Sequence, residues 1–121
     1  MGSLKVMLVD DEQEFAITLA ERLRMRGIET ITAFDGEEAL KLIVGDKPDV
    51  VVLDIMMPGM SGLQVLGKIA EIHPGIPVIL LTGIGSTTEG IAGMKIGAHD
   101  YLMKPIQIEE LIDKIRAAVK K

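Results

Sequence analysis

The chain has 121 residues, of which 48% are hydrophobic and 26% are charged, and its formal net charge at pH 7 is −5. This balance is typical of one soluble globular domain with a buried core. The acidic balance argues against a DNA- or RNA-binding surface, and the lack of cysteine excludes disulfides, thiolate metal sites and a cysteine nucleophile. With no apolar run of about 18 residues and no signal-peptide pattern, we expect a cytoplasmic protein.

Short apolar runs alternate with helical stretches along the chain. Met1-Gly2-Ser3 resemble an expression-tag remnant, so the predicted domain covers residues 4–121. The strand-like runs are Leu4 to Val9, Glu29 to Ala33, Val50 to Leu53, Pro77 to Leu81 and Asp100 to Met103. Runs that are apolar on both sides suit strands with both faces covered, which favours a parallel sheet.

A helix is predicted after each run. The predicted starts carry a capping residue three positions before an acid or amide, at Asp35-Glu38, Ser61-Gln64 and Ser86-Glu89. Gly27 and Gly97 are placed to end the first and fourth helices. The apolar positions of the first and last helices are Phe15, Leu19 and Leu23, and Ile108, Leu111, Ile112, Ile115 and Val119. Five β-α units predict an α/β fold, a five-stranded parallel sheet with helices on both faces.

Polar residues follow four of the predicted strands. They are Asp10-Asp11-Glu12 after the first, Asp54 after the third, Thr82-Gly83 at the end of the fourth and Lys104-Pro105 after the fifth. In an open α/β sheet, ligands bind beyond the carboxyl ends of the strands. We therefore expect three aspartates, a hydroxyl and a lysine to converge on one small site.

This convergence favours phosphoryl transfer. Acids also favour loops and helix starts, and that interpretation stays open for Asp10 or Asp11 taken alone. Asp54 directly follows an apolar strand, where an unpaired charge is costly. Clustered carboxylates repel one another unless a cation such as Mg²⁺ intervenes. An aspartate nucleophile, a lysine and a hydroxyl are then the groups that a transferring phosphoryl group needs.

Four segments resemble the receiver domain of bacterial two-component response regulators. They are VMLVDDE (6–12), DVVVLDIMMPGMSG (49–62), PVILLTG (77–83) and IGAHDYLMKP (96–105), and the resemblance covers residues 4 to 119. It implies a flavodoxin-like (βα)5 fold with strand order 2-1-3-4-5, the order known for this family.

The resemblance also implies the role of each site residue. Asp54 would accept the phosphoryl group, and Mg²⁺ would be held by Asp54, by Asp11 directly, by Asp10 largely through water and by the Met56 carbonyl. Lys104 would pair with the phosphoryl group, and the hydroxyl of Thr82, next to Gly83, would move to hydrogen-bond it. Tyr101 would change rotamer as a readout, unless it is only a half-exposed strand residue. Pro105 would follow a cis peptide bond that orients Lys104.

The function implied is a phosphorylation switch. A sensor histidine kinase would donate its phosphoryl group to Asp54, shifting the surface of the fourth helix, fifth strand and fifth helix toward a partner protein or output domain. The domain would catalyse only its own phosphotransfer and dephosphorylation and would act on no other substrate. We expect no direct contact with nucleic acid or membrane, and a phosphorylation-linked homodimer is left open.

Two other functions are considered. A metal-dependent phosphatase with an aspartyl intermediate commonly has a second acid two residues after the nucleophile, where this chain has Met56. A phosphorylation-independent binding module would keep only the fold, and the complete set of acids with Thr82 and Lys104 argues against it. The GxxxxGK match at 62–68 is expected to lie inside a helix, which excludes a phosphate-binding loop.

Two further hypotheses concern individual positions. Met56 and Ile84, two residues beyond Asp54 and Thr82, cannot orient a hydrolytic water by a strong hydrogen bond, which favours a long-lived aspartyl phosphate. Gly90 and Gly93 lie in the fourth helix, where they indicate either mobility or close packing.

Overall fold

Strands and helices alternate along the chain in the computed structural model, which describes residues 4–83 and 87–119. The elements are β1 (Lys5–Val9), α1 (Gln13–Met25), β2 (Glu29–Ala33), α2 (Gly36–Asp46), β3 (Val50–Asp54), α3 (Gly62–Ile72), β4 (Val78–Thr82), α4 (Thr87–Ile96), β5 (Asp100–Met103) and α5 (Ile108–Val119). All five predicted strands are confirmed, to within about one residue at each end. Met1 to Ser3 and the predicted cap Ser86 lie outside the described residues.

The strands form one parallel sheet in the order β2-β1-β3-β4-β5. This is the implied flavodoxin-like order, and it is confirmed. The order reverses between β1 and β3, so the loops that follow these two central strands diverge to opposite faces of the sheet. A crevice at this point, beyond the carboxyl ends of the strands, is where such folds bind ligands.

Each face of the sheet carries its own hydrophobic cluster, because successive side chains of a strand point to opposite faces. In β1, Val6 and Leu8 face the cluster under α1 and α5, whereas Met7 and Val9 face the cluster under α2 and α3. The predicted apolar stripe of α5 packs into the cluster under α1 and α5, and Val119 is only partly buried there. Within the described residues, 4–83 and 87–119, no helix is long and apolar enough to cross a membrane.

Polar caps and glycines mark the helix ends. Ser61 and Gln64 form the predicted capping box of α3, with bonds of 3.3 and 2.8 Å. Asp35 caps α2 by accepting from the Glu38 N–H at 2.8 Å, but the Glu38 side chain accepts from Phe34, one residue before the cap. Gly27 follows α1 in the left-handed region, at φ 81°. The GxxxxGK match at 62–68 lies within α3, as expected.

Helix α4 packs through its two glycines. A Cβ at Gly93 would run into the side chain of Leu80 in β4, and a Cβ at Gly90 would lie 3.1 Å from the Tyr101 ring. Both glycines are buried, so they let the helix backbone approach the sheet closely. The close-packing interpretation of these glycines is thus confirmed, whereas the mobility of α4 stays a prediction.

Candidate functional site

The predicted polar residues meet at the carboxyl edge of the sheet. Asp54 is the last residue of β3 and Thr82 the last of β4, while Asp10 directly follows β1 and Lys104 directly follows β5. Parallel pairing of these strands brings their ends together, although the residues are far apart in sequence. The backbone N–H of Lys104 donates to the Thr82 carbonyl at 2.7 Å and fixes the last strand end against its neighbour.

Three aspartates form a compact acidic cluster. Asp10 and Asp54 are 0% and 3% exposed, and Asp11 is half-buried. One carboxylate oxygen from each lies within 4.8 Å of the other two. The Glu12 N–H donates to Asp10 Oδ1 at 3.0 Å, which holds this carboxylate in place. The other carboxylate oxygens can therefore converge on a shared cation.

Lys104 is the cation that faces this cluster. Its Nζ lies 3.2 Å from Asp10 Oδ2, 3.4 Å from Glu12 Oε1 and 3.6 Å from Asp54 Oδ1. The ammonium also lies over the ring of Phe15, 4.6 Å from its centroid. The peptide bond between Lys104 and Pro105 is cis, as the resemblance implied.

Burial and mutual repulsion shift the ionisation of the site. Burial raises the pKa of Asp54 to about 6, the negative charge of Asp10 adds to the rise, and Lys104 opposes it. Burial also raises the pKa of Asp10, against the hydrogen bond from Glu12 and the charge of Lys104. Burial alone would lower the pKa of Lys104, but Asp10 and Asp54 raise it above its ordinary value. The single positive charge of Lys104 therefore does not neutralise this group of acids.

The donor set fits a hard divalent cation. Mg²⁺ prefers carboxylate, carbonyl and water oxygens, and it is commonly bound by one or two carboxylates. Asp10, Asp11 and Asp54 supply such oxygens, and the Met56 carbonyl is the fourth ligand that the resemblance implies. Asp11 and Asp54 line an open cavity with Glu12, Met56, Gly83 and Lys104, so a cation and a phosphoryl donor have access.

The two residues whose side chains are expected to move, Thr82 and Tyr101, lie on β4 and β5. The Thr82 hydroxyl is buried and makes no hydrogen bond to any residue in 4–83 or 87–119. A buried hydroxyl without a partner is costly, so this group is ready to bond an incoming oxygen. Tyr101 is half-buried and its ring lies over Gly90 of α4. Its change of rotamer stays a prediction, and Ile84 lies outside the described residues.

Sequence reasoning assigned no function to two residues that contact Lys104. Glu12 ends the acidic run after β1, and its place beside Asp10 and Asp11 is a signal that points to the site. The spacing of Phe15 predicts only a place in the apolar stripe of α1, and the residue does pack against the core. No sequence pattern relates its ring to a lysine near the other end of the chain.

Comparison with known proteins identifies relatives that match nearly the whole chain. The sequence model of the response regulator receiver domain family matches residues 6–116. The probable transcriptional regulatory protein TcrX of Mycobacterium tuberculosis is 43% identical over 116 residues, covering 96% of this chain and 50% of TcrX. The probable transcriptional regulator ycf27 of Guillardia theta is 44% identical over 117 residues, 97% of this chain and 46% of that protein. The chain thus spans about half the length of these relatives.

Solved structures share the fold closely. A response regulator receiver domain protein from Clostridium thermocellum superposes with a TM-score of 0.92 at 35% identity, covering 96% of this chain and 94% of that one. The receiver domain of NtrX from Brucella abortus gives a TM-score of 0.90 at 34% identity, covering 94% and 97%. The similarity therefore extends over nearly the full length of both isolated receiver structures.

Proposed function

Because the chain belongs to the response regulator receiver domain family, we propose that it is a phosphorylation switch whose phosphoacceptor is Asp54. The arrangement around Asp54 is the observation that carries the proposal. Its carboxylate is buried at the end of β3, clustered with Asp10 and Asp11 and only 3.6 Å from the Lys104 ammonium. This is the set of groups that phosphoryl transfer to a carboxylate needs.

The transfer starts from an ionised Asp54. With a pKa of about 6, its carboxyl group is mostly deprotonated at neutral pH and can act as a nucleophile. An Asp54 oxygen attacks the phosphorus of a phosphohistidine, a P–O bond forms, and the P–N bond to the imidazole breaks. Bound Mg²⁺ would supply charge neutralisation at the phosphoryl oxygens, held by Asp10, Asp11, Asp54 and the Met56 carbonyl.

Lys104 and Thr82 act after transfer in this proposal. The phosphoryl group adds negative charge where only a carboxylate was present. Lys104, already 3.6 Å from Asp54, pairs with the new charge, and the Thr82 hydroxyl gains an oxygen to bond. These movements are passed to Tyr101 and to the face formed by α4, β5 and α5, shifting its two-state equilibrium.

Proteins are the direct partners in this proposal. A sensor histidine kinase supplies the phosphoryl group, and an output domain or a separate protein binds the face of α4, β5 and α5. A phosphorylation-linked homodimer through the same face is a further arrangement that the proposal allows. The net charge of −5 disfavours direct binding of this segment to nucleic acid. Catalysis is limited to the domain's own phosphorylation and dephosphorylation.

Met56 is proposed to prolong the life of the phosphorylated state. Met56 is 64% exposed and lines the cavity, but its thioether side chain cannot orient an attacking water by a strong hydrogen bond. We expect Met56→Asn to shorten the lifetime of the aspartyl phosphate, measured by loss of phosphoryl label after donor removal, whereas Met56→Leu leaves it near wild type. Equal lifetimes for both variants would contradict this role.

Intact mass spectrometry tests the phosphoacceptor directly. Incubation with acetyl phosphate and Mg²⁺ should add a single phosphoryl group, and Asp54→Asn or EDTA should prevent it. No adduct on the wild-type protein leaves two explanations, rapid hydrolysis or a phosphorylation-independent binding module. A stable beryllofluoride complex would indicate rapid hydrolysis, and failure to form it would favour the binding module.

A further inference from the structure

Phe15 contacts the one lysine of the proposed site. It is one of only three aromatic residues in the chain and lies in the first turn of α1, half-buried. The Lys104 Nζ lies 4.6 Å from its ring centroid, within the distance at which an ammonium is attracted to the face of an aromatic ring.

The polar contacts of Lys104 are all rather long. The Nζ lies 3.2 Å from Asp10 Oδ2 and 3.4 Å from Glu12 Oε1, and its 3.6 Å separation from Asp54 Oδ1 is an ion pair without a hydrogen bond. Glu12 is 68% exposed on its side chain, so water competes for that contact. The ring therefore supplies a contact that does not depend on an exposed, hydrated carboxylate.

An aromatic ring can hold an ammonium without cancelling its charge. Each carboxylate that binds Lys104 also adds negative charge beside Asp54, which repels an incoming phosphoryl group. The ring attracts the ammonium through its quadrupole and carries no net charge. A leucine or methionine at the same place would fill the space but would not provide this attraction.

We propose that Phe15 is a positioning residue for phosphoryl transfer, its ring holding the Lys104 ammonium beside Asp54. This inference rests on the proposed phosphoacceptor function. Phe15 also lines an apolar groove with Leu19 and Ile106, and a protein donor that docks there would contact the same ring. A small-molecule donor, acetyl phosphate, therefore separates the effect on Lys104 from any effect on docking.

The test compares two phenylalanines. Phe34 is also half-buried and packs against the same hydrophobic cluster as Phe15, but Lys104 lies over Phe15. We expect Phe15→Leu to slow phosphorylation of Asp54 by acetyl phosphate and Mg²⁺ about threefold to tenfold, the range of a partly buried cation–π contact. Phe15→Tyr should restore the rate, and Phe34→Leu should leave it unchanged.

Nuclear magnetic resonance reports the contact without any phosphoryl transfer. The Hε signals of Lys104 should be shifted upfield by the ring current in the wild-type protein, in Phe15→Tyr and in Phe34→Leu. The shift should disappear in Phe15→Leu, while Lys114 serves as an internal reference in every sample. If Phe15→Leu does not fold, Phe15→Met provides the same comparison without a ring.

The outcomes separate this inference from the function on which it rests. An unshifted Lys104 in the wild-type protein, or equal phosphorylation rates for Phe15→Leu and Phe34→Leu, would overturn the positioning role while leaving Asp54 as the acceptor. A wild-type protein that takes no phosphoryl group and binds no beryllofluoride would overturn the proposed function, and the positioning role with it.

Discussion

In the metal-free protein, the ionised carboxylate of Asp54 destabilises the folded state. Burial and the neighbouring Asp10 raise its pKa from 3.8 to about 6, so the folded state binds a proton that the unfolded state has already released. Between pH 3.8 and about 6 the folded protein therefore loses stability as the pH rises, and above this window the loss is complete.

Asp54→Asn should stabilise the metal-free protein at neutral pH. The amide has a similar shape and no charge, so we expect the free energy of unfolding at pH 7.5 to increase by about 1 to 3 kcal/mol. The increase should shrink as the pH is lowered toward 4, where the wild-type carboxyl group is protonated in the folded state. Urea denaturation in EDTA over this pH range measures it, with the exposed Asp113→Asn as a control. An increase that is independent of pH would contradict the assignment.

The Thr82 hydroxyl provides a second prediction, because it is buried without a partner among the described residues. Thr82→Val replaces it by a methyl group of similar size and should stabilise the unphosphorylated protein by about 1 kcal/mol. The same change should weaken binding of beryllofluoride with Mg²⁺, because the hydroxyl would bond the bound group.

A matched control for Thr82 is available in β2. Thr30 is also a buried strand threonine, but its hydroxyl donates to the Ile28 carbonyl at 3.1 Å. Thr30→Val should therefore destabilise the protein by about 1 kcal/mol, opposite in sign to Thr82→Val. Thermal and urea unfolding of both variants give the comparison, and destabilisation of the same size in both would mean that the Thr82 hydroxyl is satisfied.

Among the elements, α4 buries only two glycines, whereas every other helix also buries at least one large aliphatic residue. Gly93→Ala should destabilise the fold by about 1 to 3 kcal/mol, because the added methyl group would overlap the Leu80 side chain. Gly67→Ala, in the interior of α3 with open space around the added methyl group, should instead stabilise it by about 0.5 to 1 kcal/mol. Urea denaturation of both variants distinguishes packing from helix propensity. Stabilisation by both substitutions would show that the Leu80 side chain or α4 can shift at little cost.

The elements themselves could be predicted because their signals are local. The apolar runs, the Ser61 cap and the glycine after α1 each act within a few residues of chain. Glu38 shows the limit of such reasoning. Its position indicates a reciprocal bond to the cap residue, but its carboxylate accepts from the N–H of Phe34 instead. Spacing places the side chain in the right turn without deciding which neighbouring N–H it reaches.

At the scale of the whole molecule, the position of the site could be predicted but not all of its contacts. Parallel strands in a known order bring Asp10, Asp54 and Lys104 to one edge, and this follows from topology. The contacts of Lys104 with Glu12 and Phe15 join residues that are 92 and 89 positions apart in the sequence. They depend on how α1 packs against the loop after β5, which no local pattern determines.

The acidic site also links metal binding to the stability of the entire fold. The three aspartates converge only in the folded chain, so the divalent cation proposed for this cluster would bind the folded state and not the unfolded state. Mg²⁺ should therefore stabilise the protein by mass action, by about 1.4 kcal/mol at ten times its Kd and about 2.7 kcal/mol at a hundred times. Unfolding followed at increasing Mg²⁺, and again after EDTA is added, measures this linkage.

Asp11→Asn tests whether the stabilisation comes from this cluster. Removing one charge relieves repulsion, so in EDTA the variant should be at least as stable as the wild-type protein. In Mg²⁺ it should gain much less, because a ligand has been lost. Asp113→Asn removes the same charge from an exposed position on α5 and should keep the full response to Mg²⁺. A similar gain in stability for the wild-type protein and both variants would mean that Mg²⁺ does not act through this cluster. General screening of the net charge of −5 would stabilise all three proteins alike.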